Sequence, residues 1–275
     1  MRQRMKKEHK TLKFFLPILV TVYYFVVLLP LVFLDEIFPE QRWYYYIIEV
    51  ILYIAVIGVT YFLTEKLYAK ISPESLSYQI GNVDFRAAAG ILLCVFAFFV
   101  IEHRVLYECL KLNKGTLTPA QDMETVPEIL LLSLTSVLLA PVLEELSFRR
   151  FLSVYKDMRG RIIALAAISA LFGMLHFYSV YSMVSAAVNG ALFGVFFLKT
   201  KKMIVPILMH IGVNACNSVF GILYDLGAGG IELNNSPAIW YFNVYWLAAA
   251  AAAAFWGFIL LKRRKNSGTV WKKQE

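Results

Sequence analysis

The sequence predicts an all-α polytopic membrane protein, a bundle of about eight transmembrane helices with both termini cytoplasmic. Three observations lead there. The 275-residue chain is 59% hydrophobic and 17% charged, where a soluble domain is roughly 45–50% apolar and about 25% charged. Its apolar residues arrive in blocks of about 20 with few interior charges, long enough as helices to cross a hydrocarbon core of ~30 Å. Its basic residues fall on alternate connections between those blocks.

The blocks run roughly over 14 to 34, 44 to 64, 87 to 108, 127 to 150, 162 to 178, 182 to 198, 203 to 223 and 239 to 261. With the N-terminus inside, 23 of the 27 Lys and Arg lie on inside segments, and only Arg42, Arg104, Lys111 and Lys114 lie outside. The positive-inside rule then places both termini in the cytoplasm, which requires an even number of spans. The first block follows the basic stretch MRQRMKKEHK without a small-x-small cleavage site and reads as a retained signal anchor. Connections are short, leaving no room for a separate soluble domain, so chemistry is expected inside the membrane. In the sixth block Ser182, Ala186, Gly190 and Gly194 recur every four residues as a face for close packing, and Ala248 to Ala254 suit a tightly packed last helix.

The net charge of +8 is spread between apolar blocks instead of gathered on one domain, which points to orientation in a lipid bilayer and away from nucleic acid. The basic C-terminal stretch KRRKNSGTVWKK reads as a segment lying on anionic lipid. Cys94, Cys109 and Cys216 have neither disulfide-framework nor CxxC spacing and read as packing residues.

Ionisable residues within spans are costly and point to function. The fourth block, LLLSLTSVLLAPVLEELSFRRF, ends with Glu144, Glu145 and Arg149. Glu145 and Arg149, four apart with the acid first, share a helix face in the order that favours an ion pair. Glu144 points about 100° away and keeps its carboxylate for base chemistry. A competing expectation puts both carboxylates in water at the cytoplasmic helix end beside Arg149 and Arg150. Pro141 favours the first reading, because it removes a helical hydrogen bond and can bend the helix just before the carboxylates. Of four histidines, His9 lies in the basic tail, and His103, beside Glu102 and Arg104, is expected in solvent. His176 lies one turn after Phe172 on the same face, whereas His210, Asn214 and Asn217 form a polar stripe on an apolar helix that needs a partner across the bundle. Together these groups hold what a hydrolytic site requires: a base for water, donors for an oxyanion, and candidate metal ligands.

Three motifs stand in order on successive helices: Glu144, Glu145 and Arg149 fit EExxxR, Phe172 and His176 fit FxxxH, and His210 and Asn214 fit HxxxN. This resembles the CAAX protease and bacteriocin-processing (CPBP, or Abi) family, the type II CAAX prenyl endopeptidase-like intramembrane proteases. The resemblance covers about 125 to 223, so the expected organisation is 1–124 as basic tail and first three helices, 125–223 as catalytic core, and 224–275 as last helix and basic tail. It implies that Glu144 and His176 activate water, that Glu145 and Arg149 hold their helix in register, and that His210 with Asn214 stabilises the oxyanion. It leaves open zinc or another divalent metal on Glu144, His176 and His210, or a metal-free glutamate mechanism; HExxH is absent. If the spans are straight, His176 lies roughly 22 Å along its helix from the cytoplasmic side where Glu144 and His210 belong, so a tilt, a late helix start or the Pro141 bend must bring them level.

The expected function is an intramembrane endopeptidase acting on a membrane-associated peptide or protein in a cell membrane, with a bacterial plasma membrane suggested by the short loops. The alternative is a non-catalytic membrane scaffold or bacteriocin self-immunity protein of the same fold. A transporter would need a polar path or broken helices in paired halves, whereas the polar residues cluster in spans four to seven.

Overall fold

The computed structural model describes residues 15–30, 33, 43–71, 80–106, 110, 126–155, 157–225 and 244–266. Among them the regular structure is entirely helical, and a helix stands in each apolar block. Helices α1 (Phe15–Pro30), α2 (Trp43–Ile71) and α3 (Phe85–Arg104) come first. The fourth block is a composite rod: α4 (Val126–Ser133), a π-helical stretch (Leu134–Leu139), α5 (Ala140–Phe148) and a 3₁₀ stretch (Arg150–Val154). Then follow α6 (Met158–Leu175), α7 (Val180–Thr200), α8 (Ile204–Asp225) and α9 (Val244–Asn266). Five helical stretches, Tyr44–Lys66, Phe85–Arg104, Leu130–Val154, Met158–Leu175 and Val180–Thr200, have the length and composition to cross a membrane; the apolar parts of α1, α8 and α9 are shorter.

Local chemistry sets several ends. Asp84, Asp157 and Ser179 cap α3, α6 and α7 by accepting from the backbone N–H of Ala87, Gly160 and Ser182, filling donors that a helix start leaves open. At the end of α7, Lys201 adopts a left-handed conformation (φ 54°) and donates its N–H to the Phe197 carbonyl, a tight turn that leads directly into α8.

Two apolar clusters organise the bundle. One gathers Leu16, Val20 and Tyr24 of α1 with Leu143 and Phe148 of α5, Phe151 of the 3₁₀ stretch and Ile168 and Phe172 of α6. The other joins Val95 and Phe99 of α3 to Val213 and Phe220 of α8 and Ala250 and Ala253 of α9. Helices α7 and α8 serve both: Phe197 and Ile207 belong to the first, Phe193 and Met209 to the second. Ile51, Ile54, Ile162, Ile163 and Phe258 are exposed on the outside, the reverse of what a soluble surface tolerates and the form expected against lipid.

Small residues permit the closest approaches. A Cβ on Gly173 of α6 would meet the Met183 carbonyl oxygen of α7 at 2.5 Å, and one on Gly257 of α9 would meet Cys94 Sγ of α3 at 2.7 Å. On α7, Ala186, Gly190 and Gly194 are buried; Gly190 faces Phe172 and Arg149, and Gly194 faces Leu165. Cys94 and Cys216 are free thiols, while Cys109 lies outside the described residues, as do His9, Arg42, Lys111, Lys114 and the part of the C-terminal tail after Asn266.

The expectation that His103 is solvated is overturned. His103 and its neighbour Glu102 are both buried, because α7 lies across α3: Asn189 donates to both Glu102 carboxylate oxygens at 3.0 Å, and the Tyr181 ring meets the His103 ring edge-on.

Gly257→Leu should push α9 off α3 and lower stability by roughly 1–3 kcal/mol, measured as detergent unfolding. Ala252→Leu, on the exposed side of α9, should leave the unfolding temperature unchanged.

Candidate active site

The fourth block brings its polar groups inward. Glu145 and Arg149 are completely buried, so the expectation of carboxylates standing in water fails for Glu145. Arg149 donates from Nε to Glu145 Oε2 at 2.8 Å and from Nη2 to Oε1 at 3.3 Å, the two-pronged pairing that a planar guanidinium makes best. The pair forms within one turn because the residues are four apart on α5 and its end. Arg149 also lies over the Phe172 ring, 5.3 Å from its centre, where the ring face attracts a cation. Arg150 is likewise buried; its Nη1 donates to Ser153 Oγ and its Nη2 stands 3.4 Å from Glu65 of α2.

His210 of α8 ties this pair to the next carboxylate. Its Nδ1 is 3.0 Å from Glu145 Oε1 and acts as donor to it, while Nε2 is 3.6 Å from Glu144 Oε2, beyond hydrogen-bond length. Phe193 of α7 packs on the His210 ring at 5.1 Å, and the Phe172 ring meets it edge-on at 5.9 Å. Glu144 is largely covered, with a side-chain exposure of 13%. Its Oε1 accepts a 2.9 Å hydrogen bond from the Tyr24 hydroxyl of α1, and its Oε2 is buried without a hydrogen-bond partner. Adjacent carboxylates in one turn thus occupy two environments: Glu145 is saturated by an arginine and a histidine, and Glu144 keeps one oxygen open.

His176 caps the C-terminal end of α6 and is half-buried. Its Nδ1 donates to the Phe172 carbonyl at 2.9 Å, which leaves Nε2 for other chemistry. Its ring packs on the Phe172 ring at 4.7 Å, so both imidazoles contact the same phenylalanine. The close α6–α7 approach at Gly173 lies one turn before this histidine. Asn214, one turn after His210, reaches the fourth block: its Nδ2 donates to the Ser136 carbonyl at 2.9 Å. Asn217 donates within its own helix to the Val213 carbonyl.

Among the described residues no three His, Cys, Asp or Glu side chains converge as a metal requires. Glu144 Oε2 and His210 Nε2 face each other at a spacing two ligands could share, but His176 does not complete the set with them. As arranged here, Glu144, His176 and His210 do not fit a three-ligand zinc centre.

Tyr24, Phe193 and Ser136 join the cluster without having been singled out by sequence. Nothing local marks Tyr24 among 16 tyrosines; only its place on the Leu16, Val20, Tyr24 stripe of α1 shows that it points inward.

A helical membrane bundle with a carboxylate, imidazole and carboxamide cluster built from five of its helices is the class defined by fold and site. Residues 126–216 match the family described as type II CAAX prenyl endopeptidase Rce1-like. That stretch is thus similar to an Rce1-like domain, a match over about a third of the chain, and the apolar helices around it support a multi-pass membrane protein. No curated protein and no solved structure matches it.

Arg149→Ala would leave the buried Glu145 carboxylate with His210 as its donor and should cost roughly 3–5 kcal/mol, read as a large fall in unfolding temperature in detergent. Arg149→Lys, which cannot reproduce the fork, should lie between the two.

Proposed function

We propose that the protein is an intramembrane endopeptidase that hydrolyses a peptide bond in a membrane-associated peptide or protein, with Glu144 as the base for water. The observation carrying this reading is the state of Glu144: one oxygen held by Tyr24, the other buried, open and beside His210 Nε2. The Rce1-like match across the same residues supports it.

In this reading Glu144 Oε2 takes a proton from water as the water oxygen bonds to the scissile carbonyl carbon. His176, through Nε2, orients that water. Negative charge develops on the carbonyl oxygen, and donors from Asn214 Nδ2 and from the Nε2–H that His210 carries in its imidazolium form stabilise it. When the C–N bond breaks, Glu144 returns the proton to the leaving amine, so the products are a new carboxyl terminus and a new amino terminus. Glu145 and Arg149 do not touch the reacting atoms; they fix His210 and hold the turn that presents Glu144.

All eight apolar helices cross the bilayer in this reading, with both termini cytoplasmic, in keeping with 23 of 27 basic residues on the inside segments. Residues 125–223 act as catalytic core, 1–124 contribute Tyr24 to it, and 224–275 close the bundle, in a bacterial plasma membrane. The second reading, a scaffold or bacteriocin self-immunity protein, would need the same polar cluster without turnover.

Cells making wild type or Glu144→Gln at matched levels should differ in their membrane and secreted peptides, with new peptide ends in the wild type alone. Identical peptide profiles, with the variant still rescuing a deletion phenotype, would transfer the assignment to the scaffold. Tyr24→Phe should slow formation of those ends by roughly 10- to 100-fold, the loss expected for a hydrogen bond to a charged group, with membrane accumulation unchanged.

A further inference from the structure

The fourth block contains a carbonyl that its own helix cannot serve. In the Leu134–Leu139 stretch backbone bonds run from residue i to i−5, and the N–H of Ala140 reaches the Thr135 carbonyl. The next donor in that register would be residue 141, aimed at the Ser136 carbonyl, but residue 141 is Pro141 and has no N–H. Ser136 is left with an orphaned acceptor, which a bilayer-embedded chain must satisfy from elsewhere. Asn214 Nδ2, arriving from α8, donates to that oxygen at 2.9 Å. Thr135 and Ser136 reinforce the irregularity, since both hydroxyls donate back to the Leu132 carbonyl, at 2.9 and 2.8 Å, a pattern that bends helices.

We infer that Pro141 is a positioning residue for Asn214: by withholding its N–H it frees the Ser136 carbonyl to anchor the Asn214 carboxamide. This rests on the proteolytic reading for its catalytic consequence, though not for the contact itself. An amide nitrogen carries two N–H bonds. With one spent on Ser136, the side chain has a fixed orientation, and the second N–H remains as the oxyanion donor. The bond also spans 78 residues of sequence, locking α8 to the rod that carries Glu144. Restoring a donor at position 141 would give Ser136 a backbone partner, either from residue 141 in the present register or from Ala140 if the stretch relaxes to an α-helix.

A double-mutant cycle on Pro141→Ala and Asn214→Ala in the full-length protein tests this with two readouts. The first is unfolding temperature in detergent. Asn214→Ala should lower it by roughly 2–4 °C when Pro141 is present, and by less than about 1 °C when residue 141 supplies an N–H. Equal losses in both backgrounds would overturn the clamp. The second is the rate of forming the Glu144-dependent peptide ends, followed on a synthetic peptide spanning the cleaved bond. Asn214→Ala should lower kcat by about 100-fold. Pro141→Ala should lower kcat by at least about tenfold with little change in KM, and should add nothing in the Asn214→Ala background. A Pro141→Ala protein with wild-type kcat, or one whose loss multiplies that of Asn214→Ala, would overturn the positioning role. If Glu144→Gln makes the same ends as wild type, the proteolytic reading falls, and the stability cycle alone decides the contact between Pro141, Ser136 and Asn214.

Discussion

The buried Glu145 carboxylate is the constraint on which the rest depends. A charge taken fully out of water must be compensated by bonds with good geometry, and Glu145 finds them from Arg149 on its own rod and from His210 on α8. The arginine settles how the end of α5 turns into the 3₁₀ stretch, and the histidine settles where α8 stands against it. Phe172 and Phe193 then follow as the apolar walls of a polar centre, one ring touching both imidazoles and Arg149, the other pressing on His210 from α7. Glu144 derives its distinct environment from this arrangement, since its neighbour has already taken the nearby cation.

Much of the fold was legible because a bilayer imposes one strong rule, about 20 apolar residues per helix, and the eight blocks are cleanly separated. The i, i+4 partnership of Glu145 with Arg149 was legible for the same reason that it forms, namely its locality. His103 was misread because flanking charges look like a solvated boundary, and the α7 groups that meet this end of α3, Tyr181 on His103 and Asn189 on Glu102, lie far along the chain, Asn189 87 positions beyond its partner. Tyr24 was invisible in the same way, its partner Glu144 being 120 residues distant. Pro141 was recognised as a helix perturbation, but the bond from Asn214 to the Ser136 carbonyl, in the π stretch beside it, joins residues 78 positions apart, and no local pattern contains that.

Sequence motif and structural site also differ in extent. The Rce1-like match covers 126–216, whereas the hydroxyl on Glu144 comes from α1, and the second apolar cluster, which supports α8, is built partly from α3 and α9. The helices outside the matched region therefore contribute a side chain to the polar cluster and support to the helix that carries His210.

The span of the Tyr24 contact has a meaning for biosynthesis. During synthesis α1 leaves the ribosome three blocks before α5, so its tyrosine waits, its site partner absent, until Glu144 has entered the bilayer. The ion pair of α5 has the opposite history: acid and base emerge four residues apart and can enter the membrane already neutralising each other. The polar centre is thus assembled from a unit that is complete on arrival and outlying groups that close on it later, first the hydroxyl already waiting on α1, then the imidazole and carboxamide of α8. A ribosome stalled between α5 and α8 would hold a chain with its charges paired and Glu144 still lacking His210.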